Sequence, residues 1–309
     1  MAALLNRFRI FLQKQQIYDR FVLRKNSSKT AFSMIELSIV AVVISLLVGL
    51  SITANRMSTN AKLANAQSLT KSSPVNDIDG LTLWFETTMP QSIKNTEADD
   101  GKTVSTWYDL STNKFNVSGG TATYKENTIG GLPTLYFGSA LTRTNVAIKD
   151  LVQNNQATIF TVHTYAAPSA ELIYWQYDTL LDTSKWRFSI NPYGLTNIIF
   201  DFGGDGNCCT GAFRTRWILN SDITKIPHIL SFVKSPSNGA IVMDGTTQFT
   251  ETKIGTFGSA YSASSTLNIG RGASYVGEII VFNRALSKEE RKDVEQYLSK
   301  KWGIAVSNM

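Results

Sequence analysis

Residues Leu267–Ile304 read LNIGRGASYVGEIIVFNRALSKEERKDVEQYLSKKWGI. The stretch opens with two apolar runs, 266–270 and 275–282, separated by a Gly-bearing turn, which read as two strands. Ser287 and Glu290 then have capping-box spacing, and Val294, Tyr297, Leu298 and Trp302 fall on one helical face behind them. One helix therefore closes the chain. Working outward, short alternating runs continue at 81–86, 134–137, 158–165, 186–190, 197–202, 228–233 and 240–243, each bounded by Gly, Asn, Asp or Ser. Many short strands with such punctuation predict an antiparallel sandwich or barrel.

Upstream, the texture differs. Phe32 to Ile52 is an apolar run, about 31 Å long as a helix and close to the roughly 30 Å of a bilayer core. The helical pattern continues to Ser73, where Pro74 stops it. The formal charge of +6 resides entirely in front of this run, in Arg7, Arg9, Lys14, Arg20, Arg24, Lys25 and Lys29 against Asp19, and the rest of the chain is balanced. That asymmetry predicts a cytoplasmic flank of a membrane segment and removes the support for a nucleic-acid partner. The predicted organisation is a basic leader over 1–31, a helix over 32–73 whose residues 32–52 cross the membrane, a linker over 74–79 and a β domain over 80–309.

One charge interrupts the apolar run. Glu36 precedes an uncharged stretch from Leu37 to Asn55, and an acid in that setting is usually functional and paired. An uncleaved signal anchor gives it no purpose. A secretory signal needs a cleavage site close behind its apolar core, and Ala64-Asn65-Ala66 lies too far downstream. Ala31-Phe32-Ser33-Met34-Ile35-Glu36-Leu37 resembles the type IV prepilin cleavage motif. The resemblance implies cutting between Ala31 and Phe32 by a prepilin peptidase, methylation of the new amine, and pairing of Glu36 with the Phe32 amine of a neighbouring pilin subunit. It departs from the usual pattern in having Ala31 in place of glycine, a long leader, and Thr53 where many pilins carry proline. The location implied is the bacterial inner membrane, followed by an extracellular or periplasmic filament.

The body, about residues 80–304, is similar to the laminin-G-like, concanavalin A-like lectin/glucanase jelly roll. GLTLWFE at 80–86 followed by VSTWYDLS at 104–111 resembles its first strands. Gly131–Gly138 resembles the next, and Ile241-Val242-Met243-Asp244-Gly245 a strand entering a hairpin turn. The order of strand, turn, strand, Asn-Arg-Ala-Leu-Ser and helix ending in Lys-Trp-Gly is its most specific feature. The fold class expected is therefore mainly β: a long amino-terminal membrane helix, a jelly-roll sandwich and a short carboxyl-terminal helix.

Catalysis finds little support. A retaining glucanase of this fold needs two carboxylates about 5–5.5 Å apart, written Glu-x-Asp-x-Glu along one strand, and no such run occurs. Glu97-Ala98-Asp99-Asp100 reads as a solvated loop, and His163 and His228 read as strand residues without a nucleophile. Asp201, Asp205 and Asn207 crowd one Gly-rich segment, and calcium is the cation such oxygens would take. Trp175, Tyr177 and Trp186 form the candidate sugar-stacking set. The adjacent Cys208 and Cys209 are either half-buried thiols or a strained vicinal disulfide. The function expected is a structural and adhesive filament subunit, not an enzyme, with glycan or a cell-surface protein as partner. The alternatives are a minor pseudopilin of a secretion or DNA-uptake system, and a membrane-anchored glycan hydrolase.

Overall fold

The computed structural model describes residues 33–165, 171–178, 185–204, 214–218, 223, 225–251, 255–272 and 274–307. The chain divides into two compact units, Met1–Arg56 and Met57–Met309. The boundary falls inside the long helix α1 (Met34–Lys71), not behind it.

In the first unit α1 starts with a reciprocal cap. Glu36 Oε2 accepts the Ser33 N–H at 2.8 Å, and Ser33 Oγ accepts the Glu36 N–H at 3.1 Å. Beyond it, every large apolar residue from Met34 to Leu50 is exposed, between 46% and 87%. The few polar side chains satisfy themselves: Ser38, Ser45 and Ser51 donate to the carbonyls of Ile35, Ala41 and Leu47. A helix apolar all round with its polar groups turned inward suits hydrocarbon. It is long and apolar enough to cross a membrane.

The second unit is an antiparallel β-sandwich, as expected. Among the described residues fifteen strands join in one ladder: β1 (Leu81–Glu86), β2 (Thr103–Trp107), β3 (Val117–Ile129), β4 (Leu132–Ser139), β5 (Leu141–Ala147), β6 (Ala157–Tyr165), β7 (Glu171–Asp178), β8 (Lys185–Tyr193), β9 (Asn197–Gly203), β10 (Arg214–Ile218), β11 (His228–Lys234), β12 (Gly239–Met243), β13 (Thr246–Glu251), β14 (Ser264–Arg271) and β15 (Ser274–Phe282). The path runs β10-β9-β8-β7-β14-β5-β3-β4-β15-β6-β11-β12-β13, with β1 on β15 and β2 on β3. The ladder curls on itself, because β9 and β11, far apart along the path, meet through Phe200 and Phe232, whose rings lie 5.3 Å apart. Both halves turn side chains such as Trp107, Trp175, Phe188 and Ile279 into one inner core.

The two outer faces differ. Over β1, β6, β11 and β15 lies a second apolar cluster, closed by Val294, Tyr297, Leu298 and Trp302 of helix α2 (Lys288–Trp302) and by Ala66 from the last turns of α1. The predicted capping box is present: Ser287 Oγ accepts the Glu290 N–H, and Glu290 accepts the Ser287 N–H at 2.9 Å. Gly303 ends α2 with φ of 67°, in the left-handed region that favours glycine. Over β14, β7, β8 and β9 the outer face is polar.

Candidate functional site

The polar face is built from directly opposed residues on neighbouring strands. Ser118 of β3 pairs with Thr142 of β5, Thr142 with Asn268 of β14, and Asn268 with Tyr174 of β7. Tyr174 then pairs with Ser189 of β8, and Ser189 with Asp201 of β9. Opposed residues share a face, so six strands, β3, β5, β14, β7, β8 and β9, contribute one polar row, while Ile173, Ile190 and Phe200, one residue along, belong to the inner core. The next polar row includes Gln176 and Arg187, which are also opposed.

The members are linked. Ser189 Oγ donates to Asp201 Oδ2 at 3.1 Å, and Arg187 Nη1 lies 3.9 Å from the same oxygen. Arg187 Nε donates to Gln176 Oε1 at 2.7 Å, the Tyr174 hydroxyl donates to that same oxygen, and the guanidinium lies 5.8 Å from the Tyr174 ring centre. Asn191 Nδ2 donates to Ser189 Oγ at 3.1 Å, whereas its Oδ1 is buried without a hydrogen-bond partner. The result is a held set of amides, hydroxyls and one Arg–Asp pair, with Ser189 and Asp201 buried within it.

The sequence candidates fare unevenly. Asp201 is on strand β9 and wholly buried beside Arg187, not in a loop with open oxygens. A carboxylate already held by a hydroxyl and a guanidinium is a poor calcium ligand, so its assignment to a calcium loop is corrected. Asp205, Asn207, Cys208 and Cys209 lie outside the described residues, as do Ala31 and Phe32. Trp175 is fully buried, donates its indole N–H to the Val146 carbonyl at 2.9 Å and packs edge-on to Phe257. It therefore has no face open to a sugar, which corrects its place in the stacking set. For Tyr177 and Trp186 only the backbone pairing of β7 with β8 is described. Glu97 is not a merely solvated acid: it accepts the Ser105 N–H at 3.0 Å and hydroxyl at 2.7 Å, blunting the open edge of β2.

Sequence spacing also passed over a pair of acids. Glu86 and Glu278 are direct partners across β1 and β15, and both are buried. Like charges so placed repel. Lys301 of α2 resolves this, with Nζ 2.9 Å from Glu86 Oε2 and 2.9 Å from Glu278 Oε2. Glu278 also accepts from the indoles of Trp84 and Trp302 and from the Tyr297 hydroxyl, and Glu86 from Thr88, Met89 and Ser92. Burial alone would raise the Glu86 carboxyl, but Lys301 and these hydroxyls outweigh it and hold it below the ordinary carboxylate value. For Lys301, burial is likewise outweighed by Glu278 and Glu86, which raise it. Gly277 leaves room for the Trp302 ring, since a Cβ there would lie 2.5 Å from Cη2. Every donor site is filled and no solvent reaches the pair. It is a lock for α2, and it accounts for the whole Lys301-Trp302-Gly303 ending.

These features define a class: a polar-faced antiparallel jelly roll carrying an apolar, membrane-length helix. No family model and no curated protein matches the chain. Among solved structures it is similar to Trypanosoma rangeli sialidase in complex with 2,3-difluoro-KDN, at 12% identity and a TM-score of 0.50, over 81% of this chain and 40% of that one. It is also similar to the binding domain of Paraclostridial Mosquitocidal Protein 1, at 12% identity and 0.47, over 73% and 55%. For the botulinum neurotoxin serotype D binding domain the figures are 11% and 0.46, over 72% and 52%. The chain spans less than two thirds of each, and at these identities the likeness is one of fold.

Proposed function

We propose that the chain is a type IV pilin-like filament subunit whose jelly roll is displayed for adhesion. The observation that carries this reading is α1: one acid, Glu36, at the head of a helix whose apolar side chains are exposed all round. In lipid those side chains are satisfied, while the carboxylate's partner among the described residues lies in its own first turn. Packed among copies of the same helix, it would gain a cation, the amine of Phe32 on a cleaved neighbour, and extraction from the bilayer would become favourable.

On this reading the chain does no chemistry, and the polar face is its contact surface. Amides and hydroxyls in fixed rows suit the hydroxyls of a glycan, and the β-sandwich likenesses are compatible with carbohydrate or protein binding in general. The partners proposed are prepilin peptidase, other pilin subunits, the inner membrane and a surface glycan.

The amino terminus and intact mass of the protein from its native membrane fraction test the reading. A chain beginning at methylated Phe32 is expected. One beginning at Met1 would make it an anchored jelly roll, and a start after Ala66 a secreted one; either overturns the filament subunit. Near-stoichiometric recovery in sheared filaments separates it from a minor pseudopilin.

A further inference from the structure

The chain contains two histidines, and the fold sets them opposite each other: His163 of β6 pairs directly with His228 of β11. Direct partners share a face, with Cβ atoms about 4.5–5.5 Å apart. The face is the inner one, since Leu230, two residues along from His228, belongs to the inner core. His163 is buried and His228 nearly so.

Each ring is oriented from behind. His228 Nδ1 lies 2.8 Å from Asp244 Oδ2, and the other Asp244 oxygen accepts the Ile229 N–H at 2.9 Å. A ring whose Nδ1–H is given to a carboxylate presents a lone pair at Nε2. That atom is buried and has no hydrogen-bond partner, which is an unfavourable state that calls for an occupant. Along β6 itself, Thr161 Oγ1 lies 3.2 Å from His163 Nδ1. Ser274 Oγ, also buried without a partner, is two residues before Val276, the β15 residue opposite His163.

A carboxylate behind an imidazole, as Asp244 stands behind His228, is the outer shell that metal-binding histidines carry. We propose that His228 Nε2, with the His163 imidazole as second ligand, binds one divalent cation of the zinc class, water completing its shell. Imidazole nitrogen selects zinc, copper and nickel over calcium. His163 has other contacts in the unloaded chain, so its ligation is an exchange of partners. Among the described residues no third Cys, His, Asp or Glu completes a cluster, which places the site in the two-histidine class. The proposal is independent of the filament reading.

The test uses the detergent-solubilised full chain, stripped with chelator, in a Cys208→Ser, Cys209→Ser background so that thiols contribute nothing. Zinc titration against a chromophoric chelator should show one equivalent bound. His228→Ala should abolish it, His163→Ala should weaken it, and Asp244→Asn should weaken it about 10–100-fold, the usual effect of removing such a partner. Zinc-edge X-ray absorption of the loaded, histidine-intact chain should show imidazole scattering, which covers the case of a variant that fails to fold. No bound equivalent, an equivalent untouched in a folded His228→Ala chain, or a shell without imidazole would overturn the proposal.

Discussion

Glu36 and Glu86 are both acids in apolar surroundings, and they are satisfied in opposite ways. Glu86 is buried, faces a second acid across the sheet, and is surrounded by Lys301, Thr88, Met89 and Ser92. Glu36 is exposed, and its described partner is the Ser33 three residues before it. The completeness of the shell is what separates the two acids. A carboxylate whose donors all come from its own domain stabilises that domain. One with only a local cap has the capacity to accept a cation from another chain.

The sharpest way to break this contrast is to remove the cation from the complete shell. Lys301→Ala leaves two opposed carboxylates buried and unneutralised, so it should cost about 3–5 kcal/mol, read as a lower urea midpoint at unchanged slope. Replacing Glu278 by Gln in that background should recover part of the loss; no recovery would mean that lost packing, not charge, is responsible.

Acid should act next. The Glu86 carboxyl is held below its ordinary value, so its contribution is full above about pH 4.3 and falls as pH drops through the folded-state value. Glu290 behaves alike: chiefly through the Arg284 hydrogen bond its carboxyl is lowered to about 2, so its share is lost between about pH 4.3 and pH 2. Lys301 is raised, so its contribution is present below about pH 10.4 and is lost only as pH rises through its folded value. Calorimetry from pH 7 to pH 2.5 should show a melting temperature that falls below pH 4. The Glu86→Gln chain, less stable at neutral pH, should show a shallower fall.

How much of this was legible depends on whether the signal is local. The end of the chain was, because Ser287, Glu290 and Gly303 spell a helix start and stop within one window. Strands β1, β6, β9, β11 and β15 were also legible as apolar runs. β3 was not: nine of its thirteen residues are exposed or half-exposed, with no regular alternation, and Gly119 and Gly120 dilute the pattern further. The polar row escaped because its members run from Ser118 to Asn268 and meet only through strand register. The α2 lock escaped likewise, with Glu86 and Lys301 separated by 215 positions. Trp175 shows the converse error: an aromatic on a polar-faced strand was counted as a platform, although its parity along β7 sends it inward. The Ser33–Glu36 cap was readable from the same Ser-x-x-Glu spacing as Ser287–Glu290.

That cap supplies a smaller test of the complete shell. Ser287→Ala removes the oxygen that accepts the Glu290 N–H at the start of α2. It should cost about 1 kcal/mol, measured by urea denaturation, well short of Lys301→Ala. A loss as large as the lysine variant's would mean that the lock depends on the helix start as much as on its charged end.

The smallest expected effect on folding is the one that sharpens the contrast most. Glu36→Ala removes an exposed acid from α1 while leaving every partner of Glu86 in place. The melting of the jelly roll should stay within about 0.5 kcal/mol of the parent chain, as exposed substitutions usually do. On the proposed filament reading, recovery of the chain in sheared filaments should nevertheless collapse, because the amine of a neighbouring copy then has nothing to pair with. A variant that assembles normally would show that the apolar surface of α1 suffices for association and that Glu36 serves only the local cap with Ser33. A variant that fails to assemble but regains assembly as Glu36→Asp would place the requirement on the charge itself, since the shorter acid keeps the carboxylate and alters the cap geometry.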